Sequence, residues 1–194
     1  MEQVMTQVEY NRRNKIHPHK FALWVAMASI IMMFAALTSA YLVRQAAGNW
    51  LEYRMPGIFY INTAVILLSS ITLHGSYLSF KAGKELLYKG LLVISFILGI
   101  AFVVMQYYGW MALYDIGIYL TGNPSGAFFY MISGLHAAHV LGGVSALVVA
   151  LIHAFVLKFK VTRKRKNRFQ LVLQYWHFVD ILWIYLFVFV LLQH

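Results

Sequence analysis

The chain closes on "FQLVLQYWHFVDILWIYLFVFVLLQH", residues Phe169 to His194, and Asp180 is the one formal charge in that run. A helix needs about 20 mostly apolar residues to cross the roughly 30 Å hydrocarbon core of a bilayer. The run is long enough, and it reads as a transmembrane helix. It also sets a problem. On insertion scales an aspartate at a helix centre costs about 2.5–3.5 kcal/mol, so Asp180 needs a partner or a proton. Trp176 lies four residues before it, His177 three before and Trp183 three after, spacings that share a helix face.

The same test applied outward gives four more spans. Phe21–Val43, Met55–Phe80 and Gly90–Tyr114 contain no Asp, Glu, Lys or Arg. Ile116–Leu157 is also uncharged, but "TGNPSG" at Thr121–Gly126 is turn chemistry that divides it. The spans fall at about 21–43, 57–80, 90–113, 127–157 and 170–192. The fold class is therefore all-α, an integral membrane bundle of five transmembrane helices. Composition agrees: of 194 residues 61% are hydrophobic and 11% charged, against about 25% charged in soluble domains. Residues 1–19 read as a cytoplasmic N-terminal segment without a cleavable signal, and residues 20–194 as the five-span domain.

Net charge is +10, and its distribution matters more than its size. Arg12, Arg13, Lys15 and Lys20 precede the first span; Lys81, Lys84 and Lys89 follow the second; Lys158, Lys160, Arg163, Lys164, Arg165, Lys166 and Arg168 follow the fourth. With five spans, fourteen basic residues fall on one side and only Arg44 and Arg54 on the other. The positive-inside rule then puts the N-terminus in the cytoplasm and the C-terminus outside. A span count wrong by one would destroy this alternation. "KFKVTRKRKNR" is accordingly a topology-fixing loop that meets anionic lipid, not a nucleic-acid patch. The chain has no cysteine, which excludes disulfides, thiolate metal sites and cysteine nucleophiles.

Chemistry in such a chain must come from polar groups inside spans. Asp180 reads either as a proton-pathway carboxylate or as a structural one satisfied by His177, an indole N–H or a neighbouring subunit. In "FFYMISGLHAAHVLGG" His136 and His139 share a face. They can supply metal or haem nitrogens, or hydrogen bonds across a close helix contact permitted by Gly134, Gly142 and Gly143. A metal would want further ligands, and Glu2, Glu9, Glu52, Glu85 and Asp115 all fall in or beside loops; no metal site is expected. Asn62 and Gln106 are neutral amides suited to bridging helices. His74 and His153, near span ends, read as interfacial hydrogen bonders. No nucleophile–base pair and no phosphate loop stands out, so the chain alone does not look like an enzyme.

These motifs resemble subunit III of the haem–copper oxidases. "FFYMISGLHAAHVLGG" is similar to the family's paired-histidine signature, and "QYWHFVDILWIYLF" to its terminal Tyr-Trp-His-Phe-Val-Asp-x-x-Trp motif, in the same order. "INTAVILLSS" and the glutamine in "VVMQYYGW" fit earlier helices of the family. The resemblance covers about residues 20–194 and suggests a short five-helix form of a family that commonly has seven. One position departs: Ile30 stands where the family usually carries a membrane glutamate, so that residue's chemistry is not carried over.

The resemblance implies a non-catalytic subunit of a terminal respiratory oxidase in a bacterial inner (plasma) membrane. It implies no cofactor in this chain beyond bound phospholipid, with haem and copper in the partner subunits. Subunit I is the main expected partner, with subunit II and membrane lipids beside it and a respiratory supercomplex as a further expected assembly. The expected roles are stabilising subunit I, binding phospholipid and supporting proton uptake. His136, His139, Trp176, His177, Asp180, Trp183, Asn62 and Gln106 are the expected structural, lipid- or subunit-contacting residues. Gly134, Gly142 and Gly143 are the expected helix-packing positions. Competing expectations are an accessory subunit of a quinol oxidase or nitric-oxide reductase, a membrane cytochrome with bis-histidine haem, and a small proton-coupled transporter using Asp180.

Overall fold

A computed structural model of the chain describes residues 18–193. Most of the N-terminal segment expected at 1–19 therefore lies outside the described residues. Within them run five helices, each long and apolar enough to cross a membrane: α1 Pro18–Ala46, α2 Ile58–Lys81, α3 Glu85–Asp115, α4 Pro124–Val156 and α5 Arg163–Leu192. Every expected span coincides with one of these helices, with only Gly57 and Leu157 falling one residue outside, but the helices mostly run further. Hydropathy marks where charge stops, whereas backbone hydrogen bonding continues into the headgroup layer. The largest extension is at α5, which starts seven residues early with the basic turns Arg163–Arg168. α3 likewise begins at Glu85, whose carboxylate accepts from Lys89 Nζ at 2.6 Å, one turn on.

Local chemistry fixes the ends. Asn123 caps α4: its side-chain oxygen accepts from Ser125 N at 2.9 Å, and Pro124 supplies the first-turn φ. Thr162 caps α5 by accepting from Arg165 N at 3.3 Å. Between α2 and α3, Gly83 at φ +74° lets Lys84 N donate back to Ser79 O at 3.0 Å, the left-handed stop that glycine makes cheap.

α2, α3, α4 and α5 close into a ring, each packed on the next and α5 back on α2. α1 stands outside the ring and touches only α4 and α5. Its first, middle and last turns are tied to α5, which runs parallel to it. Lys20 Nζ donates to Gln170 Oε1 at 2.9 Å, Thr38 Oγ1 and Tyr185 OH lie 2.9 Å apart, and Gln45 Nε2 donates to Gln193 O at 2.9 Å. A small apolar cluster of Phe34, Tyr41, Ile132, Leu182 and Leu186 fills the gap between them. α2 and α3 pack through small residues: Ser69 Oγ donates to Ser95 O at 3.0 Å and Ser76 Oγ to Tyr88 O at 2.9 Å. The starts of α1, α3 and α5 and the ends of α2 and α4 gather at one end of the bundle, called here the basic end because the lysines and arginines cluster there.

Candidate functional site

The sequence-predicted residues form three groups. The first is the ring interior. Trp176 of α5 is 1% exposed and lies between two glycines of neighbouring helices. A Cβ placed on Gly99 of α3 would stand 2.7 Å from Trp176 Cη2, and one on Gly143 of α4 would stand 2.9 Å from Cε3. The indole thus occupies space that any side chain at either glycine would need. Gly143 was visible in the sequence; Gly99 was not, because a single glycine in an apolar run carries no signal of what faces it. A Cβ at Gly142 would approach only Tyr175 Oη, at 3.4 Å, and one at Gly134 would meet nothing within 4 Å. Close packing on Trp176 therefore comes from Gly99 and Gly143; elsewhere Gly109 of α3 meets α2 as tightly, a Cβ there standing 2.7 Å from Phe59 Cζ.

Further from the basic end lies a polar layer. Asn62 Nδ2 donates to Gln106 Oε1 at 3.0 Å, joining α2 to α3 inside the core. Trp183 Nε1 donates to Thr63 Oγ1 at 2.9 Å, joining α5 to α2. His136 is fully buried, its ring centroid 4.9 Å from Trp183 and 6.0 Å from Phe102, so α3, α4 and α5 meet on it. A porphyrin at His136 would have to displace both aromatic neighbours. Trp110 Nε1, which the sequence suggests for the aromatic belt at the membrane interface, instead donates to Ser133 Oγ at 3.0 Å and closes the layer; Ser133 was not singled out in the sequence, because hydroxyls are common in spans.

His139 leaves this layer. It shares the α4 helix with His136 but turns toward α1, its ring 5.8 Å from Phe34. Its Nδ1 donates to Leu135 O at 2.7 Å, and its own carbonyl accepts from Tyr175 OH at 3.0 Å. The two histidines therefore do different work. His136 fills the ring and His139 seats the flanking helix. Among the described residues no group of three or more His, Asp or Glu side chains is arranged to hold a metal.

The third group is the α2–α5 seam, where Asp180 sits with neither carboxylate oxygen hydrogen-bonded among the described residues. His177 Nδ1 is hydrogen-bonded to Ser70 Oγ of α2. Ser70 also neighbours Asp180, which is 2% exposed. His74 stands one turn beyond Ser70, its ring 5.6 Å from that of His177. Asp180, His177, Ser70 and His74 thus form a polar line from the ring interior to the outer surface of α2. Ser70 was missed in the sequence, where a serine beside another serine reads as small-residue packing.

At the basic end the helices line a half-open cavity of about 360 Å³. Phe80, Tyr88, Phe159 and Phe169 form an aromatic wall with centroids 5.0–6.1 Å apart. Arg165, Arg168 and His153 also line it. Arg165 Nη1 donates to Lys158 O at 2.7 Å, tying the α4–α5 loop to the first turn of α5. At the opposite end Asn123 joins the loops: its Nδ2 donates to Asn49 O at 3.2 Å and its Oδ1 accepts from Leu51 N at 3.3 Å.

A family model described as cytochrome c oxidase subunit III matches residues 52–193. Among curated proteins, a probable cytochrome c oxidase subunit 3 of Nocardia farcinica is 34% identical over 171 residues, covering 83% of this chain and 81% of the relative. The cytochrome c oxidase subunit 3 of Corynebacterium diphtheriae is 30% identical over 175 residues, covering 84% and 82%. The mouse cytochrome c oxidase subunit 3 is 33% identical over 128 residues, which is 66% of this chain but 47% of that longer protein.

Proposed function

The chain belongs to the cytochrome c oxidase subunit III family, in its short five-helix bacterial form, the non-catalytic membrane subunit of a terminal oxidase; from that premise we propose that it stabilises catalytic subunit I and carries a phospholipid at its basic end. Subunit I is the main partner, with subunit II beside it, in a bacterial plasma membrane. The N-terminus lies in the cytoplasm, as the clustering of basic side chains at one end favours.

The observation that carries the lipid assignment is the cavity at the basic end. Its walls are aromatic and aliphatic, and Arg165 and Arg168 stand among its lining residues. Apolar walls suit acyl chains, and guanidinium groups pair with phosphate oxygens in a forked geometry. A site at the membrane interface with both features fits a phospholipid of the cytoplasmic leaflet. Support for proton uptake by the catalytic subunit is carried over from the family; a lipid held at the uptake side would serve it by keeping the subunit contact sealed. Asn62, Gln106, His136, His139, Trp176 and Trp183 act as structural residues of the bundle in this assignment. His177 and Asp180 join α5 to α2.

The test is purification of the complex through a tag on this chain. A haem-bearing subunit is expected to co-purify with its visible spectrum. Arg165→Ala with Arg168→Ala should lower tightly bound phospholipid and hasten inactivation during turnover, leaving the initial rate unchanged. Unchanged lipid content and unchanged lifetime would refute the lipid assignment.

A further inference from the structure

The lipid-facing surface of the bundle is apolar almost everywhere at mid-depth. On α3 it presents Ile94, Ile97, Ile100 and Val104, and on α2 Leu67, Leu68 and Ile71. His74 interrupts it. The imidazole is exposed on the outer face of α2, and its recorded contact is the ring of His177; it has no hydrogen-bond partner among the described residues.

Depth makes this costly. The 24 residues of α2 span about 36 Å, so a 30 Å hydrocarbon layer centred on the helix leaves roughly 3 Å at each end. His74 lies seven residues from Lys81, roughly 10 Å along the axis. Its Cα is then about 7 Å inside the hydrocarbon boundary, beyond the reach of so short a side chain toward water. An acyl chain offers the ring no hydrogen bond, and polar groups within spans almost always face protein or water.

The seam around His74 is already organised for contact. His177 is held by Ser70 through Nδ1, which leaves its Nε2 for another group. Aromatic pairs above and below, Tyr60 on Phe187 at 5.1 Å and Tyr77 on Phe169 at 5.7 Å, keep α2 and α5 in fixed register. The two imidazoles therefore form a rigid polar notch in an apolar face.

We infer that the α2–α5 seam at His74 and His177 is the docking face for a transmembrane helix of another oxidase subunit, one that presents a hydroxyl or carboxyl side chain to the imidazoles. The occupant is a helix because irregular backbone is not stable at this depth. It carries a polar side chain because an apolar helix would leave His74 as unsatisfied as lipid does. The inference rests on the assembly proposed above and adds to it a face, a depth and the chemistry of the partner.

The experiment places a photo-crosslinking amino acid at Ile71, 68% exposed beside the notch, or at Ile97, 58% exposed on α3 across the ring. Cells are irradiated and the tagged complex is purified. Ile71 should cross-link to another oxidase subunit and Ile97 should not. In parallel, His74→Leu should lower retention of the partner in detergent several-fold, and His74→Gln, which keeps hydrogen-bonding capacity, should largely restore it. If the complex co-purifies but Ile71 joins only lipid or a second copy of this chain, the seam is not the docking face. Equal retention for the Leu and Gln variants overturns the hydrogen-bonding chemistry. If no oxidase subunit co-purifies with the wild-type chain, the assembly itself fails and the seam inference with it.

Discussion

Replacing Gly99 with alanine tests how the ring is closed. The new Cβ would lie 2.7 Å from Trp176 Cη2 and 3.1 Å from Cζ2. Carbon atoms at optimal contact sit about 3.5–4.0 Å apart, so the indole or α3 must give by roughly 0.8–1.3 Å. The indole has nowhere to go, because Gly143 of α4 backs its other edge. Overpacking of this kind costs about 1–3 kcal/mol. Alanine in place of a helical glycine returns about 0.8–1.0 kcal/mol, so Gly99→Ala should destabilise by up to about 2 kcal/mol. In a Trp176→Phe background the offending atoms are gone. There the same change should be neutral or stabilising by up to about 1 kcal/mol, giving a coupling of about 1–3 kcal/mol between the two positions. Unfolding of the purified chain by sodium dodecyl sulfate in mixed micelles, followed by far-ultraviolet circular dichroism, measures both backgrounds without relying on tryptophan emission. Gly134→Ala, where a Cβ meets nothing within 4 Å, is the control and should not destabilise. Equal effects of Gly99→Ala with and without the indole would refute the account of Trp176 as the element wedged between α3 and α4.

Three further outcomes follow from the hydrogen bonds. Asn62→Leu should destabilise the chain by about 1–2 kcal/mol because it strands the Gln106 amide in the core, and Asn62→Leu with Gln106→Leu should recover much of that loss; a double variant as unstable as the sum of the singles would contradict it. Thr63→Val keeps shape but leaves the Trp183 indole N–H without its acceptor, with an expected loss of about 0.6–2 kcal/mol in the same assay. Asn123→Ala removes a helix cap and both loop contacts, so it should lower stability by about 1 kcal/mol or more and speed hydrogen exchange at Leu51 and Ser125; unchanged exchange at both amides would count against the stitched loops.

Much of the architecture was legible in the sequence. Four uncharged runs, a fifth that carries only Asp180, one turn signal and a one-sided set of lysines and arginines specify the number of helices and their alternation. Each requires only the fact that charge is expensive in hydrocarbon. Trp176 and Trp183 were legible too, because large aromatics one turn to either side of Asp180 share its face. The terminal motif carried the family, and the comparisons agree with it.

Helix neighbours were not legible. In a soluble bundle the outer face is polar, so periodicity separates inside from outside. In a bilayer the outer face is as apolar as the core, and that contrast disappears. Leu67 and Leu73 look alike in sequence, yet one faces outward and the other is fully buried. For the same reason His136 and His139, three residues apart, could not be told to serve different neighbours. The sequence by itself determined five helices long and apolar enough to cross a membrane, and that the basic residues gather at one end of them. The tertiary structure alone decided that α1 stands outside a closed ring of four and that Gly99 and Gly143 face one indole. It alone decided that the aspartate of the opening stretch ends in a seam leading to an exposed histidine, because only packing distinguishes one apolar helix face from another when the solvent is lipid.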